Sequence, residues 1–285
     1  MTTLATVTSP GITIVGSVNL DLVARCATLP RPGETITASA FSLVPGGKGA
    51  NQALAAQRMG ASVRIIARVG RDSYGSLALA ELRAGGVELS GVRDGDTPTG
   101  IAMIVVDDDG ENEIVVVPGA NGELVARDVD VPAGDAVLVQ LEVGDGPLLA
   151  AAAQCTGMFV LNAAPSRPVP AAVLARADVV IVNRLEAEAL GPTRAGALVA
   201  VTYGAHGAAL FRDGVELAHA APPPVHAVDG TAAGDAFCGA LVVALLEGHR
   251  HDVALLRACA AGALAASRPG AQPSLPTAAE VDAIL

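Results

Sequence analysis

Short apolar runs rich in β-branched residues alternate along this chain with longer runs whose apolar positions have helical spacing. The short runs are predicted to be buried strands, at residues 12–18, 63–69, 136–141, 158–161, 179–182 and 198–202. The helical runs lie between and after them, at residues 49–58, 73–84, 147–154, 170–175, 185–190, 233–246, 252–266 and 277–284. Strand–helix alternation of this kind predicts an α/β fold with a mostly parallel sheet and helices on both of its faces.

Two regions, residues 20–44 and 97–118, do not follow this strand–helix pattern, because their apolar and polar positions alternate. Residues 35–41 are one example. Residues 101–106 and 114–117 form another pair of runs, with an Asp/Gly cluster between them that is typical of a hairpin. These regions predict about four strands outside the main sheet, forming a small β lid over a ligand. The alternative is that they are edge strands of the main sheet.

The length, composition and net charge of the chain limit the classes of protein to which it can belong. A chain of 285 residues is long enough to bury a large core. Its net charge of −11 argues against nucleic acid or an anionic membrane as a partner. No apolar run approaches the ~20 residues that a membrane span needs, and no signal peptide is evident, so we expect a cytoplasmic protein. The four cysteines have no paired spacing and are expected to be free thiols.

The most informative segment is Val228-Asp229-Gly230-Thr231-Ala232-Ala233-Gly234-Asp235-Ala236-Phe237, which leads into an apolar helix. The first N–H groups of a helix lack internal partners, and the helix dipole places positive charge there. Small side chains at residues 232–234 leave those groups open to a phosphate. Asp235, at the same point, is placed to take a proton from an attacking hydroxyl. Alternatively, Asp235 is only a helix cap.

Two further segments end in polar residues at positions where an α/β protein binds ligands. Pro45-Gly46-Gly47-Lys48-Gly49-Ala50-Asn51-Gln52 leads into a helix but lacks the ending of a P-loop. Gly16-Ser17-Val18-Asn19-Leu20-Asp21 ends a buried strand. Amides and carboxylates suited to the vicinal hydroxyls of a sugar occur at Asn19, Asp21, Asn51 and Glu142. Taken singly, each is as well explained as a turn residue or a cap.

Together these segments resemble the ribokinase family of carbohydrate kinases. The resemblance lies in residues 46–52 and 229–235, and also in 110–113, 119–121, 140–142 and 270–274. It covers nearly the whole chain. It implies a single Rossmann-like kinase domain over residues 1–285, with a discontinuous lid inserted at about 20–44 and 97–118. The implied reaction is transfer of the γ-phosphate of ATP to the primary hydroxyl of a sugar.

The resemblance also implies roles for individual residues. Asp235 matches the family's catalytic base, and Ala232, Ala233 and Gly234 match its anion hole. The sugar-binding positions are matched by Asn19, Asp21, Gly47, Lys48, Asn51 and Glu142, together with Asp235. The nucleotide-binding positions are matched by Asn183, Thr202, Gly204, Gly207, Gly234 and Cys259.

Two ions are implied in addition to ATP. Glu186 matches a residue that organises water around Mg²⁺. A K⁺ ion beside the anion hole would turn carbonyl groups outward and N–H groups toward phosphate. Its ligands are matched by the side chains of Asp229 and Ser274 and the backbone carbonyls of Thr231, Ala265, Arg268 and Gly270.

The chain departs from the family pattern at two places. Cys259 stands where the family usually has an asparagine near the adenine, and the connector between Glu186 and Thr202 is short. Both departures bear on nucleotide affinity. The connector also leaves little length to spare for a parallel crossover.

The leading hypothesis is an ATP-dependent kinase of D-ribose that forms a homodimer through its lid. A kinase of another furanose or nucleoside is the nearest alternative, and a monomer is the alternative to the dimer. Rivals from other classes are a sugar- or nucleotide-binding protein without turnover and a nucleotide-dependent oxidoreductase. The latter lacks a Gly-x-Gly-x-x-Gly turn after the first strand.

Overall fold

The computed structural model describes residues 9–285 of the chain. Its strands form a nine-stranded sheet and a separate four-stranded sheet, called here the main sheet and the small sheet. The strands are β1 Gly11–Val15, β2 Asn19–Arg25, β3 Ala40–Gly46, β4 Ser62–Gly70, β5 Glu88–Gly95, β6 Gly100–Val106, β7 Asn112–Val117, β8 Ala136–Val139, β9 Phe159–Asn162, β10 Val179–Asn183, β11 Leu198–Thr202, β12 Ala208–Arg212 and β13 Val215–Ala220.

Helices connect most of the neighbouring strands of the main sheet. They are α1 Lys48–Arg58, α2 Ser73–Ala78, α3 Ala80–Ala84, α4 Asp145–Gln154, α5 Ala171–Arg176, α6 Arg184–Leu190, α7 Ala233–Leu246, α8 His251–Ala266 and α9 Ala278–Ala283. Short 3₁₀ turns lie at Gly119–Glu123, Ala126–Asp128, Gly204–His206 and Gln272–Ser274.

The main sheet runs in the order β13-β12-β11-β10-β9-β8-β1-β4-β5. Pairing is parallel from β11 through to β5, and only the β11–β12 and β12–β13 pairings are antiparallel. Its central strands β1, β8, β9 and β10 are buried on both faces, as their near-continuous apolar runs predict. Residues on opposite faces enter different cores: Ile14 packs in the core that contains α1, α7 and α8, and Val15 in the one that contains α4. The predicted α/β class and mostly parallel sheet are therefore confirmed.

The small sheet has the order β3-β2-β6-β7 and is made from the two regions whose alternation set them apart. One expectation within it was wrong. Residues 35–39 are not a strand, and β3 begins only at Ala40. Ile36 is the one large apolar side chain in that segment, and the Thr, Ala and Ser side chains around it are too small and too polar to anchor a strand on an apolar face.

Three strands of the main sheet, β5, β12 and β13, were not predicted. β5 is a polar edge strand, and β12 and β13 form a hairpin whose turn contains Asp213 and Gly214, both with positive φ. The predicted helix over residues 73–84 is two helices, α2 and α3, which meet at Leu79. The short connector after α6 is long enough, because β10 and β11 pair in parallel without irregularity.

Candidate active site

The N-terminus of α7 has an open backbone. Its N-cap residue, Ala232, has φ 59, a left-handed conformation that is costly for a side chain other than glycine. The N–H of Ala233 donates to Gly230 and that of Ala236 donates to Ala232. Between them, the N–H groups of Gly234 and Asp235 find no acceptor in residues 9–285. A strained turn with free N–H groups is suited to hold an anion.

Asp235, in the first turn of α7, is buried and held at both carboxylate oxygens. Its Oδ2 accepts a hydrogen bond of 2.9 Å from Asn51 Nδ2, and its Oδ1 accepts one of 2.8 Å from Gln52 Nε2. Each oxygen keeps a second lone pair. The side chain of Asp235 is therefore fixed in orientation while it can still accept a proton.

Three amide side chains that the sequence analysis did not single out support this carboxylate. Gln52 Nε2 also donates to Asn162 Oδ1 at 2.9 Å, and Gln52 Oε1 accepts from Gln140 Nε2 at 2.7 Å. Asn162 in turn donates to the backbone of Ile181. Their positions in the sequence could have identified these residues. Gln52 follows Asn51, and Gln140 and Asn162 lie at or just after the carboxyl ends of adjacent parallel strands.

The N-terminus of α1, by contrast, is closed by protein groups. Glu142 Oε2 accepts from the N–H of Lys48 at 2.9 Å and from the hydroxyl of Ser17 at 2.5 Å. Ser17 also accepts from the N–H groups of Gly49 and Ala50. A Cβ at Gly49 would lie 2.5 Å from the backbone nitrogen of Ser17, so a larger residue does not fit there. Gly47 has φ 89, which favours glycine at the helix entry.

A cleft of about 470 Å³ separates the inner face of the small sheet from the loops before α7 and after α8. Asp21 lines it, as do Asp229, Gly230 and Thr231. Burial, followed by the charges of Glu142 and Asp235, raises the pKa of Asp21 from 3.8 to about 7. The cleft therefore contains a carboxyl group that titrates near neutral pH.

Of the predicted sugar residues, Asp21 lines this cleft, whereas Asn19, Gly47, Lys48, Asn51, Glu142 and Asp235 do not. Asn19 is on the same face of β2 as Asp21, two residues nearer the main sheet. Asn51 Oδ1 is buried and has no hydrogen-bond partner in the described chain, which leaves an acceptor for a ligand. The carboxylate of Asp235 raises the pKa of Lys48; burial acts against this, and Glu142 adds to the increase. The positive charge of Lys48 is therefore retained.

A second cavity of about 490 Å³ lies on the other side of the α7 N-terminus, and we call it the α7 groove. It brings together most of the predicted nucleotide residues: Thr202, Gly204, Gly207, Gly234 and Cys259. Cys259 is buried, and its thiol faces the carbonyl of Ala220 at 3.6 Å. Gly230 lines both the cleft and the α7 groove, so the two cavities meet beside the open N–H groups.

Asn183 is not among the groove-lining residues and is engaged with Glu186. The two form a reciprocal capping box: Glu186 N donates to Asn183 Oδ1 at 2.8 Å, and Asn183 N donates to Glu186 Oε2 at 2.8 Å. Glu186 nevertheless lies near enough to contribute to the raised pKa of Lys48. Its charge therefore acts on the site, although no contact joins the two side chains.

The residues proposed for a monovalent cation surround the loop before α7. Asp229 Oδ1 accepts from Thr231 N and Oδ2 from Gly270 N, each at 2.9 Å. Burial raises the pKa of Asp229, but these hydrogen bonds outweigh it and lower the pKa overall, so the carboxylate is charged. Ser274 Oγ donates to Ala271, and the Ala265 carbonyl accepts from Arg268 N. A charged carboxylate, a hydroxyl and backbone carbonyls are the oxygen donors that suit K⁺.

Within residues 9–285 no group of three or more His, Cys, Asp and Glu side chains is arranged to hold a metal ion. In the same part of the chain, no helix has both the length and the apolar character to cross a membrane.

Comparison with known proteins shows the family to which this chain belongs. Residues 10–278 match the family described as pfkB family carbohydrate kinase. A ribokinase of Bacillus subtilis is 36% identical, with 96% of this chain and 99% of the relative covered. A structure of Arabidopsis thaliana ribokinase with ribose and ATP is similar at a TM-score of 0.85 and 30% identity, over 97% and 99% of the two chains. One of a Thermotoga maritima ribokinase gives 0.84 and 32%, over 96% and 98%. The chain therefore belongs to the pfkB family of carbohydrate kinases.

Proposed function

We propose that this protein is an ATP-dependent kinase that transfers the γ-phosphate to the primary hydroxyl of D-ribose. One observation carries the proposal: a buried, oriented carboxylate and two free N–H groups share the first turn of α7, directly after the loop in which Gly230 lines both cavities. The ribokinases to which the chain is similar support the choice of sugar and nucleotide.

In the proposed mechanism, the sugar occupies the cleft and ATP occupies the α7 groove. Asp235 accepts the proton of the primary hydroxyl, whose oxygen forms a bond to the γ-phosphorus. The bond from that phosphorus to the bridging oxygen breaks, and ADP leaves. Phosphoryl transfer depends mainly on positioning and on charge stabilisation, which here come from the N–H groups of Gly234 and Asp235 and from Lys48.

In this proposal the sugar is held next to Asp21 by polar groups of Asn19, Asp21, Gly47, Lys48, Asn51 and Glu142. Glu142 and Asn19 already have protein partners, and Asn51 has a free acceptor. A vicinal diol both donates and accepts hydrogen bonds, so it can pair with this mixture of groups.

Two ions complete the proposal. Mg²⁺ bound with ATP would neutralise phosphate charge, and Glu186 would hold its water shell. K⁺ would stabilise the loop before α7, through Asp229, Ser274 and the carbonyls of Thr231, Ala265, Arg268 and Gly270. The test is to exchange K⁺ for Na⁺ at constant ionic strength: we expect a several-fold lower rate, and equal rates would remove the cation site.

The small sheet is proposed to act as a lid that also forms a dimer. Its inner face lines the cleft, so the alternating residues face outward. These outward residues include exposed apolar side chains at Phe41, Leu43, Met103, Val115 and Val117. A small sheet with two solvent-exposed faces is marginally stable in water, and pairing with a second subunit would bury the outer one.

Light scattering tests this assembly. We expect about twice the 28.3 kDa chain mass, and a shift to monomer for Phe41→Glu. A wild-type protein that is monomeric at micromolar concentration would refute the dimer and leave the kinase proposal intact.

The proposed reaction is tested by ADP release over a panel of pentoses, hexoses and nucleosides. Ribose is expected to give the highest kcat/KM. Greater activity with a nucleoside or another furanose would reassign the substrate within the family, and no sugar-dependent release would indicate a binding protein without turnover.

A further inference from the structure

We infer that Asn121 is a positioning residue that sets which end of the Asn19 amide faces the sugar. Asn121 lies in the 3₁₀ turn Gly119–Glu123 that follows the small sheet, and it is buried. The inference rests on the proposed function, because it assigns Asn121 an action on the same sugar site.

The orientation of the Asn121 amide is fixed by the backbone of Val18. Asn121 Oδ1 accepts from Val18 N at 2.9 Å, and Asn121 Nδ2 donates to Val18 O at 3.1 Å. A backbone N–H only donates and a backbone carbonyl only accepts. A flipped Asn121 amide would therefore place donor against donor and acceptor against acceptor, so only one orientation satisfies both groups.

This fixed amide determines the orientation of the next one. Asn121 Nδ2 also donates to Asn19 Oδ1 at 2.7 Å. Because the Asn121 nitrogen is a donor, the Asn19 oxygen must face it, and the amide nitrogen of Asn19 is left as the group available to a ligand. Asn19 thus offers a hydrogen-bond donor to a sugar oxygen.

The backbone of Gly100 packs closely against this pair of amides. β6 begins at Gly100, and a Cβ there would overlap Asn121 Nδ2 and Asn19 Oδ1. Gly100 is also the parallel partner of Asn19 in the small sheet. The amide pair therefore sits where β2 and β6 both leave the main body of the protein.

The same 3₁₀ turn holds the other connection of the small sheet. Glu123 accepts from the N–H groups of Asp96 and Thr97, each at 2.7 Å, and Ala120 N donates to Pro98 O at 2.8 Å. The turn thus binds the segments that enter β2 and β6. Loss of Asn121 is expected to free the Asn19 amide without loss of these other contacts.

The test is a double-mutant cycle read by calorimetric titration with ribose. Asn121→Ala is expected to raise the ribose Kd about tenfold in the wild-type background and less than about twofold in Asn19→Ala, because its action passes through Asn19. The KM for ATP should stay within about twofold. Equal, additive losses in the two backgrounds would overturn the inference.

Two further variants separate positioning from general destabilisation. Asn121→Asp has the same shape and still accepts from Val18 N, but it cannot donate to Asn19, so its ribose affinity should fall as in Asn121→Ala. Thr13→Val removes the hydrogen bond from the buried Thr13, in the middle of β1, to Asp135, and should lower Tm without a change in ribose Kd. Wild-type affinity in Asn121→Asp would overturn the inference.

The proposed function and the inference fail in different ways. A wild-type protein that neither binds nor phosphorylates ribose removes both. A wild-type protein that does so, with additive effects in the cycle, removes only the role of Asn121.

Discussion

The starts of α1 and α7 look alike in the sequence and differ in the structure. Both follow glycine-rich turns, yet α1 has its first N–H groups occupied by Glu142 and Ser17. At α7, the N–H groups of Gly234 and Asp235 are left free. Glycine thus serves close packing of backbone in the first case and access of a ligand in the second. Only the second has the features of a phosphate site.

The largest expected effect on activity follows from replacing Asp235, the proposed catalytic base in the first turn of α7. Asp235→Asn keeps the size of the side chain, but it replaces one of the two accepting oxygens with a donor and cannot accept the hydroxyl proton, so kcat should fall by at least ~10². Ribose affinity should change little. Steady-state kinetics and calorimetry on one preparation provide the comparison, and a variant that retains most of its kcat would exclude Asp235 as the base.

A matched pair of glycine substitutions sharpens the contrast. A Cβ at Gly234 meets no atom within 4 Å, whereas one at Gly49 would lie 2.5 Å from Ser17 N. Gly49→Ala should therefore lower stability by about 3 kcal/mol. Gly234→Ala should leave stability within about 1 kcal/mol and raise the KM for ATP ~10-fold, because its methyl group enters the phosphate site. Denaturant titration and ATP kinetics of both variants test this, and the reverse pattern would contradict the comparison.

The closed side of the site also carries an excess of carboxylates, which makes stability depend on pH. The pKa of Asp21 is raised to about 7 in the folded protein. Since the unfolded chain releases this proton near pH 4, its contribution to stability is lost as the pH rises from about 4 to about 7. Asp21→Asn should avoid this loss, so its stability advantage should grow by about 2 kcal/mol between pH 5 and pH 8.

Thermal unfolding of the ligand-free protein at several pH values measures this effect. Asp108→Asn, at an exposed position of the β6–β7 turn, is the matched control and should show no such trend. An advantage for Asp21→Asn that is the same at pH 5 and pH 8 would show that Asp21 titrates as an ordinary carboxyl.

The smallest effect is expected at the hydroxyl that helps to close α1. Ser17→Ala removes the acceptor for Gly49 N and the donor to Glu142, at a cost of about 1 kcal/mol in stability. The KM for ATP should stay within about twofold of the wild-type value. A rise as large as that expected for Gly234→Ala would mean that both helix starts contact the nucleotide.

The sequence was sufficient to predict features that depend on local patterns. β-Branched runs predicted the parallel strands, and alternation predicted the small sheet. The segment around Asp235 predicted an open helix start, because small residues next to an acidic one are informative without any tertiary contact. β5 was missed because an edge strand with Arg93 and Asp94 has no apolar run.

The hydrogen bonds that hold the site residues in place could not be predicted from local sequence patterns. Gln52, Gln140 and Asn162 come from three elements and meet only after the sheet has formed. The closed state of α1 likewise depends on Glu142, 94 residues away from Lys48 in the chain. The β12–β13 hairpin is different, since its Asp213-Gly214 pair was a usable turn signal.

We propose that the free N–H groups at the N-terminus of α7 bind phosphate while the γ-phosphate of ATP is transferred to the primary hydroxyl of ribose. Phosphorus NMR of the product of the wild-type enzyme, with ribose and ATP, tests it most directly. We expect a sugar phosphate resonance coupled to the two protons of a primary carbon, formed in step with ADP. Release of inorganic phosphate alone, or a phosphate on a secondary or anomeric carbon, would contradict it.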